Sequence, residues 1–284
     1  RRRSRRSSHA VKMPPFRYHR PDTADEALRL LRELGSDAKV LAGGQSLLPL
    51  LALRLSRPEH LVDISAISDL AGIEESESGT VVGAAVRHAG AERSPLLERR
   101  APLAAAAMPL IGHRAIRSRG TVCGSLAHAD PAAELPAVTL ALDAEMVVRR
   151  AGAERRVPAR DFFLGYLTSA LDDDEMLAAV RFPAWPERTG FSIQEVSRRH
   201  GDYALVGLAA VLGTGADGRV ERAALSFFGA GSTPVRVAEA AATVTKAIDP
   251  PDDNHATAAY RAHVAGVLTR RCLAEAAGRI GVAA

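Results

Sequence analysis

Apolar positions first recur at helical spacing after Thr23-Ala24-Asp25-Glu26, a capping box: Ala27, Leu28, Leu30, Leu31 and Leu34 share one face until Gly35 ends the run. The short run Lys39-Val40-Leu41-Ala42 predicts a strand that passes straight into Gly43-Gly44-Gln45-Ser46. A second apolar helical stretch begins near Leu47, with Pro49 tolerated in its first turn, and His60-Leu61-Val62-Asp63 predicts another strand. Strand, helix and strand in this order predict a small parallel βαβ unit.

From about residue 72 to 90 the pattern alternates around a turn at Ser78-Gly79, and Ala91 to about Met108 is expected to be helical. Residues 119–137, RGTVCGSLAHADPAAELPA, interrupt this order with small and polar side chains, as in a loop or a Gly-bent strand. Ala144–Arg150 predicts a strand turning at Ala151-Gly152, followed by short elements at Asp161–Tyr166 and Glu175–Phe182. Pro183 and Pro186, with Trp185 between them, mark the expected boundary between a first domain over 13–185 and a second over 186–284. In the second, Gly190–Val196, Ala204–Leu212 and Val220–Phe228 predict strands, and Val237–Gly278 is mostly helical with a break at Pro250-Pro251. Segregated strands and helices make the class α+β.

Hydrophobic residues at 47% and charged residues at 25% fit a globular chain with a sizeable core. The formal charge of +4 is carried by the first dozen residues, which hold Arg1, Arg2, Arg3, Arg5, Arg6 and Lys12; without these, 31 basic residues face 33 acidic ones. Residues 1–12 are therefore expected to be a disordered basic tail or an added extension ahead of Met13, and nucleic acid is not an expected partner. No apolar run approaches 18 residues, so no membrane span is predicted. Cys123 and Cys272 are far apart and in no CxxC pattern, which provides neither an iron–sulfur site nor a secreted disulfide scaffold and points to a reducing, cytoplasmic compartment.

Ala42-Gly43-Gly44-Gln45-Ser46 occupies a strand-to-helix junction, where small residues let backbone N–H groups approach an anion and the helix N-terminus adds partial positive charge. It lacks both the GxGxxG spacing and the GK[ST] ending of known nucleotide loops. In 119–137, Gly120, Gly124 and Ser125 permit close backbone approach, Thr121 and Ser125 carry hydroxyls, and Glu134 is a carboxylate suited to a sugar hydroxyl. His128 and Asp130 form an H-x-D pair that metal binding could use, and a tight turn or a strand packed on backbone explains the same glycines. Two such loops with a carboxylate describe a dinucleotide site.

AGGQSLLPLL (42–51), IRSRGTVCGSLAHADPAAELPA (116–137), DFFLGY (161–166), SRRHGDYALV (197–206) and GAGSTPVR (229–236) together resemble the medium, FAD-carrying subunit of molybdenum hydroxylases, most nearly that of aerobic carbon monoxide dehydrogenase and more distantly the flavin domain of xanthine dehydrogenase. The resemblance runs from about residue 13 to the C-terminus. It implies a two-part FAD-binding domain of the vanillyl-alcohol-oxidase (PCMH) type followed by a smaller C-terminal α/β domain. It also implies FAD held by a first loop of Lys39, Val40, Leu41, Ala42, Gly43, Gly44, Gln45, Ser46 and Leu47, and by a second of Thr121, Val122, Cys123, Gly124 and Ser125. Glu134 would reach the adenosine ribose, Ile111 and Leu171 would touch FAD, and Asp202 and Tyr203 would lie beside the isoalloxazine ring. Gln194 stands where xanthine dehydrogenase relatives carry a flavin-side Lys, and Cys123 replaces the first of two consecutive Gly.

Such a subunit implies partners: a large subunit with the molybdenum cofactor and a small subunit with two [2Fe–2S] clusters. Electrons would reach FAD from the clusters and leave to NAD, a quinone or another acceptor. No acid–base pair is required of this chain, and His113, His128 and His200 are read as structural. A free-standing flavoenzyme on the same scaffold and a non-enzymatic binding module are the alternatives.

Overall fold

The structure, a computed structural model, describes residues 13–237 and 247–281. The expected basic tail at 1–12 and part of the expected C-terminal helical stretch lie outside the described residues. The chain begins with strand β1 (Arg17–His19), helix α1 (Ala24–Leu34), strand β2 (Ala38–Leu41), helix α2 (Leu47–Ala52) and strand β3 (His60–Asp63). The three strands form a parallel sheet in the order β1-β3-β2, so β2–α2–β3 is the βαβ unit expected from the sequence. The helix cap is one residue wider than its motif: the Thr23 hydroxyl accepts from the Glu26 N–H (3.2 Å), but the Glu26 carboxylate accepts from the Asp22 N–H (3.0 Å). Gly35, at φ 54°, ends α1.

A second sheet is antiparallel. It contains β4 (Ile73–Ser76), β5 (Gly79–Gly83), β6 (Glu145–Arg150), β7 (Ala153–Pro158) and β10 (Met176–Pro183) in the order β4-β5-β10-β6-β7. Between β5 and β6 lie helices α3 (His88–Ala91), α4 (Pro95–Arg100), α5 (Pro102–Ala107), α6 (Arg114–Arg117), α7 (Val122–His128) and α8 (Glu134–Ala141). The helical region expected over Ala91 to about Met108 is present as several short helices. Ser94 caps α4 through the Leu97 N–H, and Pro95 and Pro102 each start a new helix because proline is at home only in a first turn. The stretch 119–137 is not a loop or a bent strand: it forms α7 and the start of α8. The sequence carries no helical stripe there because every residue of α8 is buried, and a helix enclosed on all sides shows no apolar stripe. Helix α9 (Ala159–Phe162) and a small hairpin of β8 (Phe163–Gly165) and β9 (Thr168–Ser169) precede β10.

After Pro183, β11 (Thr189–Ser197), β12 (Ala204–Thr214), β13 (Val220–Phe228) and β14 (Val235–Val237) make an antiparallel sheet in chain order. Helix α10 (Ala258–Ile280), capped by Thr257, covers one face of it through Val264, Leu268 and Cys272. The other face meets α8, where Ala137 packs with Ile193, Ala204 and Phe228. Polar clasps fix this contact. The Gly229 N–H, in the GAGSTPVR motif, donates to the Pro131 carbonyl (2.8 Å). Arg222 pairs with Asp143 (2.9 Å), and Arg236 donates to the Leu140 carbonyl (2.9 Å) and pairs with Asp143. The motif at 229–236 therefore holds α8 and its carboxylate in place instead of lining a site.

Candidate flavin site

A cleft of about 670 Å³ runs between the parallel sheet, α7, the start of α8 and the β11–β12 turn, within the usual range of cofactor sites (~300–1,000 Å³). Lys39, Val40, Ala42, Gly43, Gly44, Gln45, Ser46 and Leu47 line it, as do Thr121, Cys123, Gly124, Ser125, Glu134, Ile111, Leu171, Asp202 and Tyr203. Leu41 and Val122 do not. Leu41 is held in the β2–β3 ladder, its carbonyl accepting from the Ile64 N–H (2.9 Å), and Val122 is fully buried with its N–H on the Val86 carbonyl (3.0 Å).

The first loop is built by contact with the second. A Cβ on Gly43 would lie 2.3 Å from the Arg119 carbonyl oxygen and 2.6 Å from the Gly120 Cα, so only glycine lets the two backbones touch. Gly44, at φ 73°, turns the chain into α2, and the Gln45 amide folds back onto the Gly43 carbonyl (3.2 Å). As a result, the backbone N–H groups of Gly43, Gly44, Gln45, Ser46 and Leu47 have no hydrogen-bond acceptor among the described residues. Successive free N–H groups at a strand-to-helix turn form a concavity for an anion.

The second segment is a helix N-terminus. Thr121 caps α7 by accepting from the Gly124 N–H (3.1 Å), and the Ser125 N–H closes the first turn on the Thr121 carbonyl (3.1 Å). The Cys123 N–H is left without an acceptor among the described residues. The Cys123 thiol points into the core, 3.5 Å from the Val82 carbonyl, and burial pushes it up to about 12. The remaining wall is pinned from outside. Arg117 pairs with Glu92 (2.9 Å) and donates to the Gly112 (3.0 Å) and Ile111 (3.3 Å) carbonyls, which holds the Ile111 turn at the cleft. Gly201, at φ 87°, lies flat on the His113 ring, where a Cβ would be 2.5 Å from Cε1, so the turn carrying Asp202 and Tyr203 rests on the segment before α6.

Glu134 opens α8 and is 7% exposed. Burial, and then the carboxylates of Glu195 and Asp130, push it up to about 8. Glu195, on β11, is pushed up to about 7 by burial, and its Oε2 has no partner. Tyr203, which brings a phenol hydroxyl to the cleft lining, is 60% exposed as a residue. Burial, followed by Asp130 and Glu134, pushes that hydroxyl up to about 12. Lys39 meets Asp173 at 3.7 Å in an exposed pair of little energetic weight. His128 and Asp130 both line the cleft, but no group of three or more His, Cys, Asp or Glu side chains among the described residues could hold a metal.

Comparison with known proteins identifies the fold and cofactor. The family described as the FAD binding domain in molybdopterin dehydrogenase matches residues 14–185, and the CO dehydrogenase flavoprotein C-terminal domain matches 191–243 and 236–276. The chain belongs to the FAD-binding medium subunits of molybdenum hydroxylases. A 6-hydroxypseudooxynicotine dehydrogenase complex subunit alpha of Paenarthrobacter nicotinovorans is 39% identical over 95% of this chain and 97% of its own length. The carbon monoxide dehydrogenase medium chain of Hydrogenophaga pseudoflava is 36% identical over 92% and 96%. A solved structure of carbon monoxide dehydrogenase from that organism contains a chain that superposes with a TM-score of 0.90 at 35% identity, covering 94% of this chain and 99% of that one. The architecture is accordingly the PCMH-type FAD-binding domain with its C-terminal domain, and the protein is a flavin-binding subunit of an oxidoreductase.

The cleft of this medium subunit fits such a group: free N–H donors for an anion, a buried carboxyl for hydroxyls, and apolar walls at Ile111 and Leu171. One sequence expectation changes. Gln194 does not face the flavin side; its amide, like the Ser192 hydroxyl, donates to Glu275 of α10 (2.9 and 2.8 Å). Strand alternation turns Glu195, the next residue, toward α8 instead. Gly120, expected from the sequence to permit close backbone approach, lines the cleft, and so does His88, which sequence reading missed because it lies in a stretch with no recognisable pattern.

Proposed function

We propose that this subunit is the electron outlet of a three-subunit hydroxylase. It would take electrons from the [2Fe–2S] clusters of a small subunit, which is fed by a molybdenum-cofactor large subunit, and pass them to NAD or a quinone. FAD supplies the redox chemistry; the protein binds and orients it. Its domains are residues 13–185, which hold the cofactor, and 186–284, whose sheet braces α8 and supplies the Asp202–Tyr203 turn. The N–H groups of Gly43 to Leu47 receive the pyrophosphate, helped by the free Cys123 N–H at the start of α7. Glu134 takes the ribose hydroxyls, Ile111 and Leu171 give apolar contact, and Asp202 and Tyr203 flank the isoalloxazine ring. Buried free thiols at Cys123 and Cys272 support a reducing, cytoplasmic setting.

The observation that carries this reading is the run of unpartnered N–H groups from Gly43 to Leu47. Gly44 tests it, because the atoms nearest a side chain there are the movable ends of Leu48 (3.0 Å) and Leu41 (3.3 Å), and the φ of 73° is one that Asn and Asp tolerate. Gly44→Asp and Gly44→Asn have nearly the same shape and differ in charge. Gly44→Asp is expected to purify without flavin, and Gly44→Asn to retain a substantial share. Equal flavin-to-protein ratios in the two folded variants would remove the pyrophosphate from this loop.

A further inference from the structure

His88 begins α3 on the cleft wall and has no part in the assignments above. It is 4% exposed, lines the cleft, and neither ring nitrogen has a hydrogen-bond partner among the described residues. Its own backbone N–H donates to the Gly120 carbonyl (2.9 Å), which anchors the residue under the second segment. The Thr121 backbone acts on the ring against the lowering by burial, yet neither ring nitrogen makes a hydrogen bond of normal geometry. Buried polar groups are almost always satisfied, so an imidazole orphaned on both sides at a cofactor cleft marks a position that a ligand completes.

The location narrows which part of the ligand that is. A Cβ on Gly120 would lie 3.0 Å from His88 Nδ1, and one on Gly43 would lie 2.6 Å from the Gly120 Cα. The ring, the Gly120 backbone and the first loop are therefore stacked in contact where the two loops meet. Lys39 is the sole Lys or Arg lining the cleft among the described residues, and it is paired with Asp173. An anion placed here is satisfied by neutral donors. Burial lowers the His88 imidazole to about 4, so the ring is uncharged at neutral pH, with one nitrogen a donor and the other an acceptor.

We propose that His88 is a direct ligand of the dinucleotide, its ring N–H donating to a phosphate oxygen of the pyrophosphate at the junction of the two loops. This rests on the reading of the cleft as the FAD site. The test is a histidine ¹⁵N–¹H correlation spectrum of the full chain freed of flavin, titrated with FAD, with ADP and with riboflavin. The His88 ring signals, assigned by their loss in a His88 variant, should shift with FAD and with ADP, which carries the pyrophosphate, and stay put with riboflavin. Movement of the Gly43–Leu47 amide signals on adding FAD while the His88 ring signals stay unmoved would overturn the proposal and leave the cleft reading intact. If neither set moves, both fall. A response to riboflavin would put the ring at the flavin and overturn the phosphate assignment. Independently, His88→Leu removes the donor and should raise the Kd for FAD roughly ten- to hundredfold, while His88→Gln, which keeps a side-chain N–H, should lose less. An unchanged Kd in His88→Leu, or equal losses in both variants, also counts against it.

Discussion

Glu134 offers a perturbation whose effect on stability and on cofactor binding should have opposite signs. Its carboxyl titrates near 8 in the folded chain against an ordinary 4.5, chiefly because burial disfavours the charge and Glu195 adds repulsion. The native state therefore keeps a proton that the unfolded chain releases. The associated stabilisation is complete below pH 4.5 and is lost as pH rises toward 8. With about 1.4 kcal/mol for each pH unit, the loss between pH 5 and pH 7 is on the order of 3 kcal/mol. Because the side chain is almost wholly buried, solvent screening does not reduce it much. Glu134→Gln removes the titration and keeps the shape. Urea unfolding of the flavin-free chain at pH 5 and pH 7 should show the variant gaining about 3 kcal/mol relative to wild type over that interval. In a fluorescence titration above pH 8, where the wild-type carboxyl is ionised, the same variant should bind FAD more weakly, since an amide is a poorer acceptor for ribose hydroxyls than a carboxylate. A stability difference that stays constant to within about 1 kcal/mol across the interval would refute the buried-carboxyl argument.

Two further outcomes follow from packing. Gly43→Ala forces a methyl group into the Arg119–Gly120 backbone, so the two loops must separate; it should lower stability by about 1–3 kcal/mol, read by chemical denaturation, and lower the flavin-to-protein ratio with it. Cys123 and Cys272 are both buried, and burial raises both thiols, to about 12 and about 11, so a thiol reagent should label neither in the native chain and both after denaturation. Labelling of the native chain would show that one of the two is reachable.

The parallel βαβ unit, the antiparallel sheet of the second domain and α10 were legible because each repeats a simple period over enough residues to be read. The helices from 88 to 141 were harder. Their apolar faces are covered from several directions, prolines restart them every few residues, and α8 carries no polar face at all. At the site, Gly43, Gly44 and Glu134 stood out by residue type at a strand or helix junction. His88 and Glu195 did not, because an isolated His or Glu in a local pattern gives no hint of what a distant element will place beside it. The displacement of Gln194 has the same origin: the family position is defined along the strand, whereas what a side chain faces is decided by which side of the strand is taken by α10.

The small residues at 119–125 have two separate causes, and separating them changes what the site can do. Gly120 is small because a Cβ there would lie 3.0 Å from His88 Nδ1, and Gly124 because a Cβ there would lie 2.5 Å from the Thr121 hydroxyl that caps the helix. Neither is kept small by a phosphate directly. In the proposed site the anion instead meets the N–H groups that this packing leaves free. Cys123 is constrained from the opposite side: its thiol is 2% exposed against Val82, while its N–H lies at the start of α7. A side chain there must fit the core, and a thiol raised to about 12 is not a thiolate near neutral pH. In the proposed site the position therefore acts on the cofactor through its backbone alone, and a Ser or Ala of similar size at 123 should leave the cradle as it is.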